Sequence, residues 1–151
     1  MTGTPETQKE LIRNFETGAI RNIDTGKFDY EAFYTPRVMK AFATYMHFNR
    51  HLPDGTMRNG DNWQKGIPKD SYMKSGWRHF FDWWNDHRNP TEDHGTDNEG
   101  LVWALCGLIF NAQGYLDTIL KENPNLLPEA LEHNKLLREK RWAELKKKET
   151  T

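Results

Sequence analysis

A histidine and an aspartate three residues apart form the first candidate reactive pair in this chain. His79 and Asp82 lie in a segment with helical periodicity, so their side chains project from one face and can converge on one ion or one water molecule. Arg78 precedes the pair and aromatic residues surround it. A carboxylate in such a setting must find a cation or a donor, or become neutral. A solvated hydrogen bond between the two side chains is the alternative interpretation.

Carboxylates follow in the segment from Glu92 to Glu99, which leads into the next helical pattern. Acidic side chains at a helix N-terminus have a purely structural explanation, because the helix dipole attracts them. They also suit a hard divalent cation such as Mg²⁺, which takes oxygen ligands and can complete its shell with substrate phosphates. Asp97 and Glu99 are therefore candidate metal ligands beside Asp82.

Asn111 and Trp63 each have a structural and a functional interpretation. Asn111 interrupts an apolar helix, so its amide either bonds to a neighbouring backbone group or faces the same pocket as His79. Trp63 either covers the core or stacks on a base, with Asn62 beside it to contact the base. The two interpretations stay open for both residues.

Four basic side chains near these positions are candidate phosphate contacts: Lys27, Arg58, Lys65 and Arg78. Each of them alone is more often simply exposed to solvent. The sequence contains no Walker-type glycine-rich loop, dinucleotide fingerprint, paired-cysteine zinc spacing or nucleophile elbow. Hydride transfer and serine hydrolysis therefore have no support from the sequence.

Four helices are predicted to position these residues, and no segment is a convincing strand. Their ranges are 35–50, 68–87, 98–121 and 128–148. Thr35-Pro36 and Pro68 are helix-start signals, the third helix is apolar on nearly all sides, and the fourth is charged and amphipathic. The segment 6–15 can form a short helix, while 17–27 and 58–66 are predicted loops. We expect an all-α bundle of about four main helices that is completed by oligomerisation.

Length and charge narrow the class of protein further. The 151 residues are expected to form a single domain over 1–151, with a site core at 17–121 and a charged C-terminal helix at 128–148. With 21 basic and 22 acidic residues, no overall field favours binding to a nucleic-acid duplex. Residues 1–6 lack signal-peptide features, and the apolar run 101–110 is too short to span a bilayer. We therefore expect a cytoplasmic protein without membrane contact, located in the host cell if a phage encodes it.

Cysteine and aromatic usage lead to two further expectations. Cys106 lies in an apolar run and is expected to be a small buried side chain rather than a catalytic thiol. The six Trp, eight Phe and five Tyr are expected to pack mostly in the core, with a minority free to stack on a flat ligand. The basic end Lys146–Lys148 is interpreted as a solvated helix terminus in preference to an RNA-binding patch.

Several blocks share their order with a known family, over about residues 17–120. They are Thr17–Arg21, Gly26–Tyr30, the Asn-Trp-Gln-Lys-Gly-Ile-Pro run within Asp61–Pro68, Arg78–Phe80 and Phe110–Ala112. Together they resemble the phage and bacterial dATP/dGTP diphosphohydrolase family, which includes MazZ-type enzymes and is related to MazG-like all-α nucleotide pyrophosphohydrolases. The resemblance implies an oligomeric all-α protein that uses Mg²⁺ or Mn²⁺ to cleave a purine deoxynucleotide between phosphates.

The resemblance also implies roles for individual residues. His79 and Asp82 would hold the ion from one helix and Glu99 from the next, with Asp97 as a further ligand. The nucleotide would contact Asn62, Trp63, Lys65, Arg78, Lys27 and Asn111.

Two other functions stay open. The segment Leu101–Gly107 offers no ligand ahead of Asn111, which is compatible with a nucleotide-binding protein that does not hydrolyse its ligand. The third possible function is that of a helical interaction module. Its aromatic residues would lie in the core, and its charged C-terminal helix would dock on a partner.

Overall fold

The computed structural model describes residues 12–22, 28–90 and 99–149. Contacts within the chain divide it into two compact units, Met1–Pro36 and Arg37–Thr151. Among the described residues, five α-helices accompany one small two-stranded sheet. The all-α class predicted from the sequence is confirmed, whereas the single-domain organisation stays a prediction.

The first unit contains a short antiparallel hairpin, so the expectation that the chain has no strand is wrong. Strands β1 (Ile12–Asn14) and β2 (Ile20–Asn22) carry the same Ile-Arg-Asn tripeptide and pair Arg13 with Arg21. The turn between them closes through the amide of Gly18, which donates to the carbonyl of Phe15 at 2.9 Å, and Gly18 has a φ of 82°. Glycine adopts this left-handed conformation without steric cost.

The hairpin also changes the predictions for neighbouring segments. Residues 12–14 are a strand instead of the end of a 6–15 helix, and 20–22 are a strand within the predicted 17–27 loop. Residues 6–11 of the predicted helix lie outside the described residues, and Phe15 is not helical. After the hairpin, the first unit adds helix α1 (Tyr30–Phe33), where the Asp29 carboxylate accepts a hydrogen bond from the Ala32 amide at 3.1 Å.

Four helices that match the predicted segments build the second unit. Helix α2 (Pro36–Phe48) begins at the unit boundary, and α3 (Lys69–Arg88), α4 (Leu101–Glu122) and α5 (Leu126–Glu149) follow. A 3₁₀ turn (Asn62–Lys65) interrupts the segment predicted as an irregular loop. The helix-start signals at Pro36 and Pro68 are confirmed within one residue, whereas α5 begins two residues before the predicted Pro128.

Helices α3 and α4 form the centre of the second unit and run antiparallel. Tyr72 packs on Gly114 near the N-terminal end of α3, and His79 packs on Gly107 near the middle of α3. Because each glycine lacks a Cβ, a ring from α3 reaches the backbone of α4 at both points. Lys69 Nζ and Glu122 Oε2 form an ion pair of 2.6 Å at the end of the pair nearer Tyr72.

The buried core of the single chain is small. Among the residues that the structure describes, the buried side chains are Tyr45, Tyr72, Ala104 and Cys106, together with the polar side chains of His79 and Asn111. Cys106 is buried as predicted, and burial raises the pKa of its thiol. The expectation that most aromatic rings lie in the core is wrong for the isolated chain, since most of them are exposed.

Helix α5 is exposed from Leu127 to Lys148, which is consistent with the weak amphipathicity of its sequence. At 100° per residue, Leu127 and Leu145 lie on one side of the helix and Leu136 lies on the opposite side. The predicted amphipathic stripe is therefore not continuous. None of the described helices combines the length and the apolar character that a bilayer-spanning helix needs.

Candidate functional site

A structured loop after α2 holds Arg58 against the end of that helix. The loop reverses at Gly55, whose φ is 83°, and the Asp54 carboxylate accepts hydrogen bonds from the amide and hydroxyl of Thr56 at 2.9 and 2.6 Å. These bonds lower the pKa of Asp54. The Arg58 guanidinium donates to the carbonyl of Asn49, so part of its donor capacity is already used.

The 3₁₀ turn presents Trp63 at the start of the next helix. Gly66 ends the turn with a φ of 103°, and Pro68 then precedes α3. The half-buried Trp63 ring meets the edge of Phe110 of α4, with 6.4 Å between ring centroids. Trp63 thus covers part of α4 and keeps one side of its ring towards a cavity.

A polar cavity of about 380 Å³ lies where α2, the loop, the 3₁₀ turn, α3 and α4 meet. Asn62, Trp63 and Arg78, each singled out from the sequence, all line it, and so does Arg58. The volume falls within the range of small-molecule sites. The cavity combines an aromatic ring, side-chain amides and guanidinium groups, which is the chemistry that a base joined to phosphates requires.

Tyr45 and Ser75 also line the cavity, although sequence reasoning assigned them no site role. Tyr45 is buried, and its ring meets Trp103 edge-on at 5.7 Å, which fixes its orientation. The available signal was the four-residue spacing of Tyr45 and Asn49 at the C-terminal end of α2, where both residues line the cavity.

His79 occupies the slot over Gly107 and is only 3% exposed. Its Nδ1 atom is buried and has no hydrogen-bond partner among the described residues. Burial lowers the pKa of the imidazole, while the Glu99 carboxylate acts in the opposite direction. The side chain is therefore neutral near pH 7, and Nδ1 can act as a metal ligand.

Glu99 is the predicted ligand that lies nearest to His79. Its Oε2 atom is 3.7 Å from His79 Nδ1, which is too far for a hydrogen bond and wider than the roughly 3.0 Å between adjacent donors of an octahedral ion with bonds of about 2.1 Å. Asp82 lies one turn along α3, near enough for its charge to raise the pKa of His79. Within the described part of the chain, no three His, Cys, Asp or Glu side chains form a metal-binding group.

The charges of Glu99 and Arg78 act both on His79 and on Tyr45, which lines the polar cavity. Burial raises the pKa of Tyr45, and the nearby charges of Glu99 and Arg78 raise and lower it respectively. Arg78 also acts on the pKa of His79, next to it on α3. Arg78 thus lines the cavity and also acts on His79, whereas neither His79 nor Glu99 is among the residues that line the cavity.

The remaining predicted residues lie elsewhere. Asn111 is buried, and its Nδ2 donates to the carbonyl of Gly107 at 2.7 Å and to Ser75 Oγ at 3.4 Å, so its amide serves the backbone and not the cavity. Lys65 is exposed at the end of the 3₁₀ turn and does not line the cavity. Lys27 and Asp97 lie outside the described residues.

Comparison of this chain with protein-family models, with curated protein sequences and with solved structures finds no match. The resemblance to nucleotide diphosphohydrolases therefore remains a prediction from the residues themselves.

Proposed function

We propose that this chain binds a purine deoxynucleotide in the polar cavity and cleaves it between phosphates with the help of Mg²⁺ or Mn²⁺. One observation carries the proposal: Asn62, Trp63 and Arg78, predicted separately as nucleotide contacts, line a single cavity. The His79–Glu99 pair, connected electrostatically to that cavity, supports the metal-dependent part.

In this proposal, different residues contact different parts of the nucleotide. Trp63 stacks on the base, and Asn62 offers an amide donor and acceptor to the edge of the base. Arg78 pairs with the phosphates, because its guanidinium has only a weak 3.5 Å contact with Ser75 Oγ among its described interactions. In this arrangement the base lies at Trp63 and the phosphates lie at Arg78.

The ion would be held by His79 and Glu99, with Asp82 and Asp97 as the further expected ligands. When bound, such an ion polarises phosphoryl oxygens and lowers the pKa of a coordinated water. An imidazole among the ligands favours Mn²⁺ over Mg²⁺, because Mg²⁺ prefers oxygen donors alone. An ion that arrives with the nucleotide shares its coordination with the phosphates, so few protein ligands are needed.

Turnover of a nucleotide panel tests the proposal. The full chain is incubated with purine and pyrimidine deoxynucleotides and ribonucleotides in Mn²⁺ or Mg²⁺, and phosphate and pyrophosphate release are measured. We expect release from deoxypurine nucleotides, and its loss in Glu99→Gln. Absence of turnover with every nucleotide and both ions would reject the enzymatic proposal.

Arg78→Gln tests the binding step by calorimetry. Loss of one charge-assisted contact, worth about 1.5–3 kcal/mol, should weaken nucleotide binding roughly 10- to 150-fold. Arg88→Gln is the matched control, because Arg88 is an exposed arginine of the same helix outside the cavity lining. Equal affinities of both variants would show that the nucleotide does not use this cavity.

Nucleotide binding without hydrolysis is the second candidate function. The absence of a group of three metal-binding side chains among the described residues favours it. In that case calorimetry should detect nucleotide binding that chelators do not change, and no product should form. A dependence of binding on divalent ions would favour the hydrolase instead.

We place either activity in the cytoplasm, that of the host cell if a phage encodes the chain, and in a homo-oligomer. A buried free thiol at Cys106 is suited to a reducing compartment. The exposed aromatic side chains supply the apolar surface that an assembly would bury.

A further inference from the structure

Residues 50–58, between α2 and the 3₁₀ turn, form a small hairpin. The amide of Arg58 donates to the carbonyl of Arg50 at 2.9 Å, and His51 pairs with Met57 in an antiparallel bridge. In this register Arg50 lies directly opposite Arg58. Side chains opposite one another in an antiparallel pair project from the same face, so the hairpin brings the two arginines side by side.

Hydrogen bonds hold both arginine side chains against the backbone. Arg50 Nε donates to the carbonyl of Arg58 at 2.6 Å, and the Arg58 guanidinium donates to the carbonyl of Asn49. The bond of Arg58 has a structural explanation, because a cation is favourable at the C-terminal end of α2. Each bond occupies a single nitrogen, and a guanidinium carries further N–H donors in a rigid fork. Both arginines are therefore held in place with donors still available to a ligand.

The two arginines give the polar cavity an unbalanced positive charge. Both line it, together with Arg78 of α3, whereas none of the described residues in the lining is Asp or Glu. The ion pairs seen in the described part of the chain involve none of these three arginines. Like charges directly opposite each other destabilise an antiparallel pair. An anion bound between Arg50 and Arg58 would offset that repulsion.

We propose that Arg50 and Arg58 together form an oxyanion subsite that binds free pyrophosphate, which thereby competes with the nucleotide. A guanidinium matches a phosphoryl group, because its fork donates two parallel N–H···O bonds at once. Pyrophosphate carries two phosphoryl groups, and the cavity offers guanidinium groups from two elements, the hairpin and α3. Because the backbone already holds both arginines, less side-chain freedom is lost when the anion binds.

The competition rests on the proposed function, because it requires the nucleotide phosphates to lie in the same cavity of about 380 Å³. Binding of pyrophosphate by itself does not require a nucleotide. The subsite gives Arg50 a role in binding, and it makes nucleotide binding sensitive to the concentration of free pyrophosphate.

Calorimetry with the full chain and inorganic pyrophosphate tests the subsite. A chelator is present throughout, so that the measured affinity reports on the cationic side chains and not on a divalent ion. Arg50→Gln should weaken pyrophosphate binding about 10- to 150-fold, which corresponds to the loss of one charge-assisted contact. Arg88→Gln is the matched control, because Arg88 is an exposed arginine outside the cavity lining, and it should bind pyrophosphate as the wild type does.

Two further measurements separate a ligand contact from a structural role and from general screening of charge. Arg50→Lys keeps the positive charge and loses the fork, so it should retain the helical content of the wild type and bind pyrophosphate more weakly. If Arg50→Gln loses its helical content, Arg50→Lys decides the matter alone. Sulfate at matched ionic strength should bind far more weakly than pyrophosphate, because it carries one oxyanion group instead of two.

Several results would overturn the proposal. They are absence of pyrophosphate binding at millimolar concentrations, wild-type affinity in either folded Arg50 variant, equal affinities for sulfate and pyrophosphate, or simultaneous binding of pyrophosphate and nucleotide. Failure of the nucleotide proposal looks different. In that case no nucleotide binds, while pyrophosphate still binds and its affinity still depends on Arg50.

Discussion

A single methyl group added at Gly107 is expected to disturb both the α3–α4 packing and the site. An alanine Cβ there would lie 2.6 Å from Cε1 and Nε2 of His79, whereas ordinary contact begins near 3.4 Å. The backbone of α4 and the ring of His79 would have to separate by the difference, about 0.8 Å. Gly107→Ala should therefore destabilise the fold.

The magnitude follows from two opposing terms. Overpacking a close contact costs about 1–3 kcal/mol, and alanine gains about 1 kcal/mol over glycine inside a helix. Because a contact of 2.6 Å is far shorter than real Cβ contacts, we take the overpacking cost in the upper part of its range, about 2–3 kcal/mol. The net loss is then about 1–2 kcal/mol, which corresponds to a Tm lower by roughly 2–8 °C for a chain of this size. Urea unfolding and thermal unfolding followed by circular dichroism measure both quantities.

Two controls make the test specific: a substitution at another glycine, and the same substitution in a variant that lacks the His79 ring. A Cβ at Gly76 would meet Asn111 Cβ at 3.5 Å, an ordinary contact, so Gly76→Ala should instead stabilise by up to about 1 kcal/mol. In a His79→Ala background the overlap at Gly107 is absent, and Gly107→Ala should become stabilising. An unchanged stability of Gly107→Ala, or the same effect in both backgrounds, would refute the packing argument.

Three further predictions concern single side chains. Burial lowers the pKa of His79 below the unfolded value of about 6.5, so as the pH falls through 6.5 the unfolded chain gains a proton that the folded chain does not. In the presence of a chelator, the free energy of unfolding should therefore fall below pH 6.5 and level off above it, and His79→Ala should show less of this loss; identical pH profiles would contradict the prediction. Tyr45→Phe should weaken nucleotide binding about 2- to 12-fold, the value of one hydrogen bond, whereas Tyr72→Phe, also buried but outside the cavity, should not. Cys106, buried and with a raised pKa, should react with thiol reagents only after unfolding, and fast labelling of the native chain would show that it is accessible.

The helices could be predicted from the sequence because their signals are local. Proline at a helix start and apolar residues every three or four positions need no knowledge of the rest of the chain, and α2, α3, α4 and α5 follow them closely. The hairpin could not be predicted in this way. Strands of three residues are too short to show alternation, and they depend on pairing across a turn.

The candidate site was predictable in its residue types and less so in its geometry. The side-chain chemistry of Asn62, Trp63 and Arg78 suggested nucleotide contacts, and the three residues line one cavity. Tyr45 was missed because the same helical spacing serves a core residue and a cavity wall. Gly107 gave no signal, since a slot for the ring of His79 exists only when two helices meet.

Asn111 stands between the two cavities of the second unit. Its side chain lines an open apolar groove between α3 and α4, and its amide reaches Ser75, which lines the polar cavity. A change at Ser75 and a change in the groove therefore meet at one side chain. If binding in the polar cavity and occupation of the groove are coupled through Asn111, each changes the affinity of the other by the same factor.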